Sequence, residues 1–324
     1  MNNKQFLDIL NLHSLWLSSN NECGERANLK GEDLTQFCLR GINLEKAILD
    51  NVNAQGSDLE GIKLDGASLE NANISMANLK SSSLKSTNLK GSNLKRTNLK
   101  NAFLNNADLK GSILIAALLK KTTLIDANLS LVNFYTANLS GAVLNGANMS
   151  KSNLTGAILT GADLINTNLQ GAEMFAVDLN SAYVPNSNFK NTDMRKAFLN
   201  SAFLNGSSFS GARMAYADFE DASLCKTDFS GTELSGANFA GANTDNTVFP
   251  IINLKIGKLY YLSSLSTGFR IPSHKSIVNF RDDDVGMVIG VHASGDFDLL
   301  IKEKIYRQIP EWVKYVCFKQ NEPK

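Results

Sequence analysis

Every fifth residue from Leu29 to Phe249 is apolar except Thr244, and the register never slips across those 221 residues. Of these 45 positions, all but Ala54 and Thr244 carry Leu, Ile, Val, Met or Phe. A period of five fits neither the 3.6 of an α-helix nor the 2 of a strand. It requires a chain that turns a corner every five residues. The residue two before each centre is small in most repeats, as at Ala27, Ala67, Ala72, Ser92, Thr97 and Ala147. The residue two after the centre takes all 17 glycines of the repeat region, from Gly31 to Gly241. Each corner needs a residue tolerant of positive φ, which Gly and Asn supply. Four corners close one square coil of 20 residues. Phe189, Phe209, Phe229 and Phe249 are spaced by 20 and would stack on one inner face, with Phe219 and Phe239 on another. Such stacking suits a solenoid, in which each coil touches only its neighbours.

Segments such as Ala27-Asn28-Leu29-Lys30-Gly31 and Ala237-Asn238-Phe239-Ala240-Gly241 carry the A(D/N)LXX pattern. The chain thereby resembles the pentapeptide-repeat family over about two thirds of its length. The resemblance implies an all-β solenoid, a right-handed quadrilateral β-helix. The centre and the small residue two before it point inward; the other three positions face solvent. Forty-five repeats make about 11 coils and a rod about 50 Å long at the spacing of β-strands. With Leu, Phe and Ala filling the inside, no ligand-sized cavity is expected there.

The rest of the chain divides around the rod at 27–249. Residues 1–26 are read as an N-terminal helical cap, because 3–18 are apolar enough to lay a short helix over the first coil. His13 within it is expected to be a partly exposed structural histidine. Residues 250–324 abandon the five-residue period at Pro250 and hold 11 Lys/Arg and 8 Asp/Glu. They read as a small α/β or β C-terminal module. Its expected strands are Ile277–Phe280, Val285–Val291 and Trp312–Phe318, with Asp282–Asp284 as a turn.

Catalytic and metal-binding patterns are missing from the sequence. There is no GxSxG, P-loop or GxGxxG motif. The three histidines do not pair at ligand spacing; a metal site of His274, His292 and Asp282–Asp284 is the weaker reading of a solvated acidic turn. No metal, no cofactor and no enzymatic activity are expected. The four cysteines are widely spaced and read as free thiols in a reducing cytoplasm. No secretory leader is read at the N-terminus, although a non-classical export signal would escape this test, and no apolar run is long enough for a membrane span.

Charge is balanced overall, with 32 Lys/Arg against 31 Asp/Glu, but it is unevenly placed. Nine basic residues and one acid lie between 80 and 121, flanked by acidic zones at 50–70 and 218–233. Lys80, Lys90, Lys100, Lys110 and Lys120 mark this basic belt. Lys80, Lys100 and Lys120 share a column, yet the belt mainly rings the rod, whereas a nucleic-acid site favours a stripe along one face with aromatic stacking groups nearby. This disfavours nucleic acid as a partner. Apolar residues at positions that should face solvent are more informative. Phe103, Val143, Tyr183 and Phe203, with Ile125 and Ile165, fall on one side; Leu118, Ile158 and Phe198 fall on the adjoining one. Unless neighbouring long side chains cover it, such a strip is a site for a protein partner, a homodimer seam, or a dock for the C-terminal module.

These features favour a non-enzymatic scaffold that presents a rigid surface to a macromolecular partner. The family includes bacterial effectors delivered into host cells, and a scaffold of this class fits such a role. The alternative carried by the resemblance is a DNA mimic that binds DNA gyrase and protects it from quinolones or toxins. Against it stand 19 basic and 20 acidic residues between 27 and 249, and a register without the loops of the quinolone-resistance type.

Overall fold

A computed structural model describes residues 1–250 and seven strands beyond them. The chain begins with helix α1 (Asn3–Ser18). The later strands are β1 (Leu259–Leu262), β2 (Phe269–Arg270), β3 (Ile277–Val278), β4 (Val285–Val291), β5 (Phe297–Ile301), β6 (Lys304–Ile309) and β7 (Phe318–Lys319). All their pairings are antiparallel: β1 with β4 and β7, β4 with β5, β5 with β6, and β2 with β3. The expected turn at Asp282–Asp284, His274, His292 and most of the expected strand at 312–318 lie outside the described residues.

Between α1 and β1 the chain winds as the five-residue period requires. Each centre from Leu29 to Thr244 except Val184 begins a turn in which its carbonyl accepts the N–H three residues on, as from Glu32 to Leu29 at 3.0 Å and from Ala47 to Leu44 at 3.1 Å. The residue two after the centre has positive φ at every corner from Gly31 to Asn246 except Gln36. That is the type II turn, which demands the left-handed region at its third residue. Glycine enters it freely. Thr136 (φ 54°) and Leu131 (φ 61°) enter it against the preference of their side chains.

The coil closes in 20 residues. Parallel bridges join each residue before a centre to the one 20 further on, from Asn28–Ile48 to Asp228–Val248, except at Cys38. The centre N–H completes the contact, as from Leu89 to the Asp108 carbonyl at 2.7 Å. The inward-facing backbone polar groups are thus largely satisfied coil to coil, and the side chains at the centre and two before it are free to fill the inside.

Leu, Ala and Phe at these positions are buried along the whole rod. Where Ser or Thr stands two before the centre, its hydroxyl often reaches a carbonyl of the previous coil, while Ser82, Ser152 and Thr192 donate to the carbonyl three residues earlier. Thr87, Ser92 and Thr97 donate to Leu64, Leu69 and Ile74 at 2.9, 2.6 and 2.8 Å. Most polar residues at inward positions are satisfied in this way, whereas the buried Ser57 and Ser112 hydroxyls have no partner among the described residues. The aromatic ladder forms as the spacing of 20 requires. Phe209 stacks on Phe189 at 4.6 Å and on Phe229 at 5.1 Å, and Phe219 stacks on Phe239 at 4.8 Å. Near the small centre Ala54 the inside keeps a void of only about 10 Å³, lined among others by Leu34, Leu59 and Ile74.

Helix α1 starts with a reciprocal cap: the Asn2 side chain accepts from the Gln5 N–H, and the Gln5 side chain accepts from the Asn2 N–H, both at 2.9 Å. Phe6, Ile9, Leu10 and His13 recur at helical spacing and turn away from solvent, and the Phe6 ring meets Phe37 at 4.4 Å. Leu7 and Leu15 face solvent. His13 departs from the sequence expectation, because it is fully buried instead of partly exposed. Its Nδ1 accepts the Ala27 N–H at 3.1 Å, so the imidazole ties the helix to the first repeat. Its Nε2 has no side-chain hydrogen-bond partner among the described residues.

Candidate partner-binding surface

The four sides are numbered here by their centres, from Leu29, Leu34, Leu39 and Leu44 in turn. On the outer wall the residue before each centre is usually Asn or Asp. Its side-chain oxygen accepts the N–H of the residue after the centre, as from Lys95 to Asn93 at 3.1 Å and from Lys100 to Asn98 at 3.2 Å. Its amide then ladders to the next coil, as from Asn93 to Asn73 at 3.2 Å. The coil gains two polar contacts from one residue, which explains why Asn dominates this position.

The apolar substitutions forgo those contacts. Phe103, Val143, Tyr183 and Phe203 stand before fourth-side centres, and Leu118, Ile158 and Phe198 before third-side centres. The N–H groups of Asn105, Asn145, Thr160, Lys120 and Asn205, which an Asn two residues earlier would bind, have no protein partner among the described residues. Phe103, Leu118, Ile158, Tyr183 and Phe198 remain 37–47% exposed. Ile125, Val143, Ile165 and Phe203 are half-buried. The Tyr183 and Phe203 rings stack on each other at 4.9 Å, and Lys85 Nζ sits 5.7 Å from the centre of the Phe103 ring. Between the apolar groups, Thr123 Oγ1, Asp163 Oδ1 and Asn105 Oδ1 are shielded from water without a hydrogen-bond partner among the described residues. All three belong to the outer wall of the fourth side. Bulky apolar neighbours thus remain solvent-facing on a wall whose own polar atoms they cover, which a coil built only for stability would not select.

The basic belt divides by pairing. Lys80 joins Glu60 at 3.8 Å in a group that also holds Arg40, and Lys90 joins Asp108 at 3.1 Å. Lys100, Lys110 and Lys120 are exposed and have no ion pair among the described residues. Lys100 and Lys120 lie on the third side, in the same wall as Leu118. Lys110 lies on the first side, across the rod.

A second apolar area on the second side escaped the sequence reading. Ile113, Tyr135 and Phe175 are exposed there, and Tyr216 lies at one of its corners. The same rule applied to the two residues after each centre, and to the second side, finds them. Their setting differs from the strip. Phe175 lies between Arg195 and Lys196, each 5.8 Å from its ring centre. Arg195 pairs with Asp193 at 2.7 Å, and its guanidinium holds the Asp193 carboxyl below the usual range, with Arg213 adding to the effect. The polar groups beside Phe175 are thus already engaged.

Among the described residues no group of three or more His, Cys, Asp or Glu is placed to hold a metal ion, and no helix is long and apolar enough to cross a membrane.

The sequence matches the family model for pentapeptide repeats over residues 27–66, 62–101, 102–141, 133–171, 172–211, 204–241 and 212–249. No curated protein matches the chain. Among solved structures it is similar to HetL, a pentapeptide repeat protein involved in heterocyst differentiation regulation from the cyanobacterium Nostoc sp. strain PCC 7120. The identity is 28%, covering 64% of this chain and 89% of that one, with a TM-score of 0.33. It is also similar to the pentapeptide repeat protein Rfr23 from the cyanobacterium Cyanothece 51142, at 26% identity, 35% and 90% coverage and a TM-score of 0.34. QnrB1, a plasmid-mediated fluoroquinolone resistance protein, matches at 21% identity, 55% and 91% coverage and a TM-score of 0.33. The sequence match runs through the whole coiled region, more than half of the chain, and the chain belongs to the pentapeptide repeat proteins, which are right-handed β-helix solenoids.

Proposed function

We propose that the protein is a non-enzymatic scaffold that binds a protein partner through the apolar strip on the third and fourth sides of its rod. In this reading the rod comprises residues 27–249 in about 11 coils, at the spacing of strands, with residues 1–26 capping one end. The observation that carries the proposal is the cost of the strip to the coil. At Phe103, Leu118 and Ile158 an Asn-type contact is given up, and at these positions and at Tyr183 and Phe198 a large apolar group is left in water. Contiguous exposed apolar surface of this kind is a mark of protein interfaces, and aromatic anchors dominate their energetics. The solid interior and the outer wall offer no shielded pocket for general acid–base chemistry. Nor does the near-even count of 19 basic and 20 acidic residues between 27 and 249 suit an imitation of DNA.

Affinity capture tests the reading, using the full chain and a variant carrying Phe103→Ser, Tyr183→Ser and Phe203→Ser. These side chains are outside the core, so the circular dichroism and melting temperature should stay near those of the wild type. The wild type should retain a specific protein that rebinds in purified form, and the variant should lose it. Equal binding by a folded variant rejects the strip.

A further inference from the structure

We propose that the third side of the rod is the seam of an antiparallel dimer with a second copy of this chain. The inference rests on reading the strip as an interface and names its occupant. It comes from a symmetry in how the third side is laid out. Bridges Leu118–Asn138, Asn138–Ile158, Ile158–Asp178 and Asp178–Phe198 place Leu118 and Phe198 two coils to either side of Ile158. One coil to either side stand Asn138 and Asp178. Three coils to either side, in the column just after the centres, stand Lys100 and Glu220, both exposed and without an ion pair among the described residues.

A two-fold axis across the rod at Ile158 therefore makes this wall complementary to itself. Ile158 meets Ile158 of the copy, and Leu118 meets Phe198. The Asn138 amide, which donates to no described group, meets the Asp178 carboxylate. Lys100 meets Glu220. Each unlike pair occurs twice, as an isologous interface requires. From Lys100 to Glu220 the wall spans six coil steps, about 29 Å at the spacing of strands. A two-fold axis along the rod gives parallel rods instead. It sets the basic ends, with Lys100 and Lys120, beside each other and the Asp218 and Glu220 ends beside each other. Like charges facing across an interface disfavour that arrangement, so charge selects the antiparallel one. On the second side Arg195 and Arg213 near Phe175 are already paired with Asp193 within the chain.

Sedimentation equilibrium of the full chain tests the proposal. The wild type should dimerise below about 100 μM, a modest affinity for a surface of this kind. Ile158→Arg at the axis should yield a monomer. Lys100→Glu and Glu220→Lys should each weaken the dimer by at least about ten-fold, and the double exchange should restore it, because the two residues face each other across the seam. A monomer at that concentration overturns the proposal, as does a dimer indifferent to Ile158→Arg or a double exchange that fails to restore association. A monomer whose third side is nevertheless protected from labelling points to cover by residues 250–324 and also overturns it. A monomer whose capture of another protein still depends on Phe103, Tyr183 and Phe203 overturns the dimer while the partner-binding reading stands.

Discussion

Replacing Phe209 by Leu tests whether the aromatic ladder acts as a stack or only as filling. Phe209 is fully buried, with Phe189 at 4.6 Å, Phe229 at 5.1 Å and the edge of Phe219 at 6.4 Å. Phe134 is equally buried but has no aromatic ring beside it among the described residues. The same change at both sites removes similar apolar surface, so the transfer contribution largely cancels between them. What remains is the ring–ring interaction, about 0.5–1.5 kcal/mol per pair beyond area burial. With two stacked neighbours and one edge contact, Phe209→Leu should cost about 2 kcal/mol more than Phe134→Leu. Urea unfolding followed by circular dichroism measures this from the shift in midpoint, provided the slopes agree among the variants. Equal losses at the two sites would refute the reasoning and reduce the ladder to space-filling.

The corners, the cap and the wall supply further tests. Thr136 holds a β-branched side chain at φ 54°, so Thr136→Gly should raise stability by about 1 kcal/mol, read from the same urea midpoint. Gly206→Val should do the reverse, because the corner has φ 72°, where a β-branched side chain is strained, and the added Cβ crowds Asn186 Oδ1. Burial, with Arg26 adding to it, depresses the His13 pKa below its ordinary value of 6.5 despite the opposing Glu45 backbone. The unfolded chain then takes up a proton more readily than the folded one, so this contribution to stability is present above pH 6.5 and is lost as pH falls below it. Thermal melts between pH 5 and 7.5 should show that slope in the wild type and a flatter one in His13→Gln. Phe103→Asn should leave stability within about 0.5 kcal/mol of the wild type, since it removes exposed surface and restores an Asn-type contact.

The coil was legible in the sequence because one residue in five points inward without exception of register, from Leu29 to Phe249. The stacking of Phe189, Phe209 and Phe229 followed from their spacing alone. The burial of His13 was not legible. Nothing in residues 3–18 shows that Nδ1 will meet the Ala27 N–H, a contact made across the junction of helix and coil. The strip was visible because Phe and Tyr broke an Asn-rich column, whereas Ile113 and Tyr135 were missed because the search stopped at two adjoining sides. Exposure of Leu7 and Leu15 was also hidden, since apolar content alone does not show which face of a helix meets the rod. Past Pro250 the period ends, and with it the constraint that made the rest readable.

The central claim, that the third and fourth sides bear the interface, is tested most directly by hydroxyl-radical footprinting. The complex formed by the full chain, with a captured protein or with itself, is compared with the free chain. Phe103, Tyr183, Phe198 and Phe203 report on the strip, while Tyr135 and Tyr216 are exposed aromatic controls away from it. The account predicts that the strip residues lose reactivity on complex formation while Tyr135 and Tyr216 keep theirs. Protection of Tyr135 and Tyr216 with an unchanged strip would contradict it.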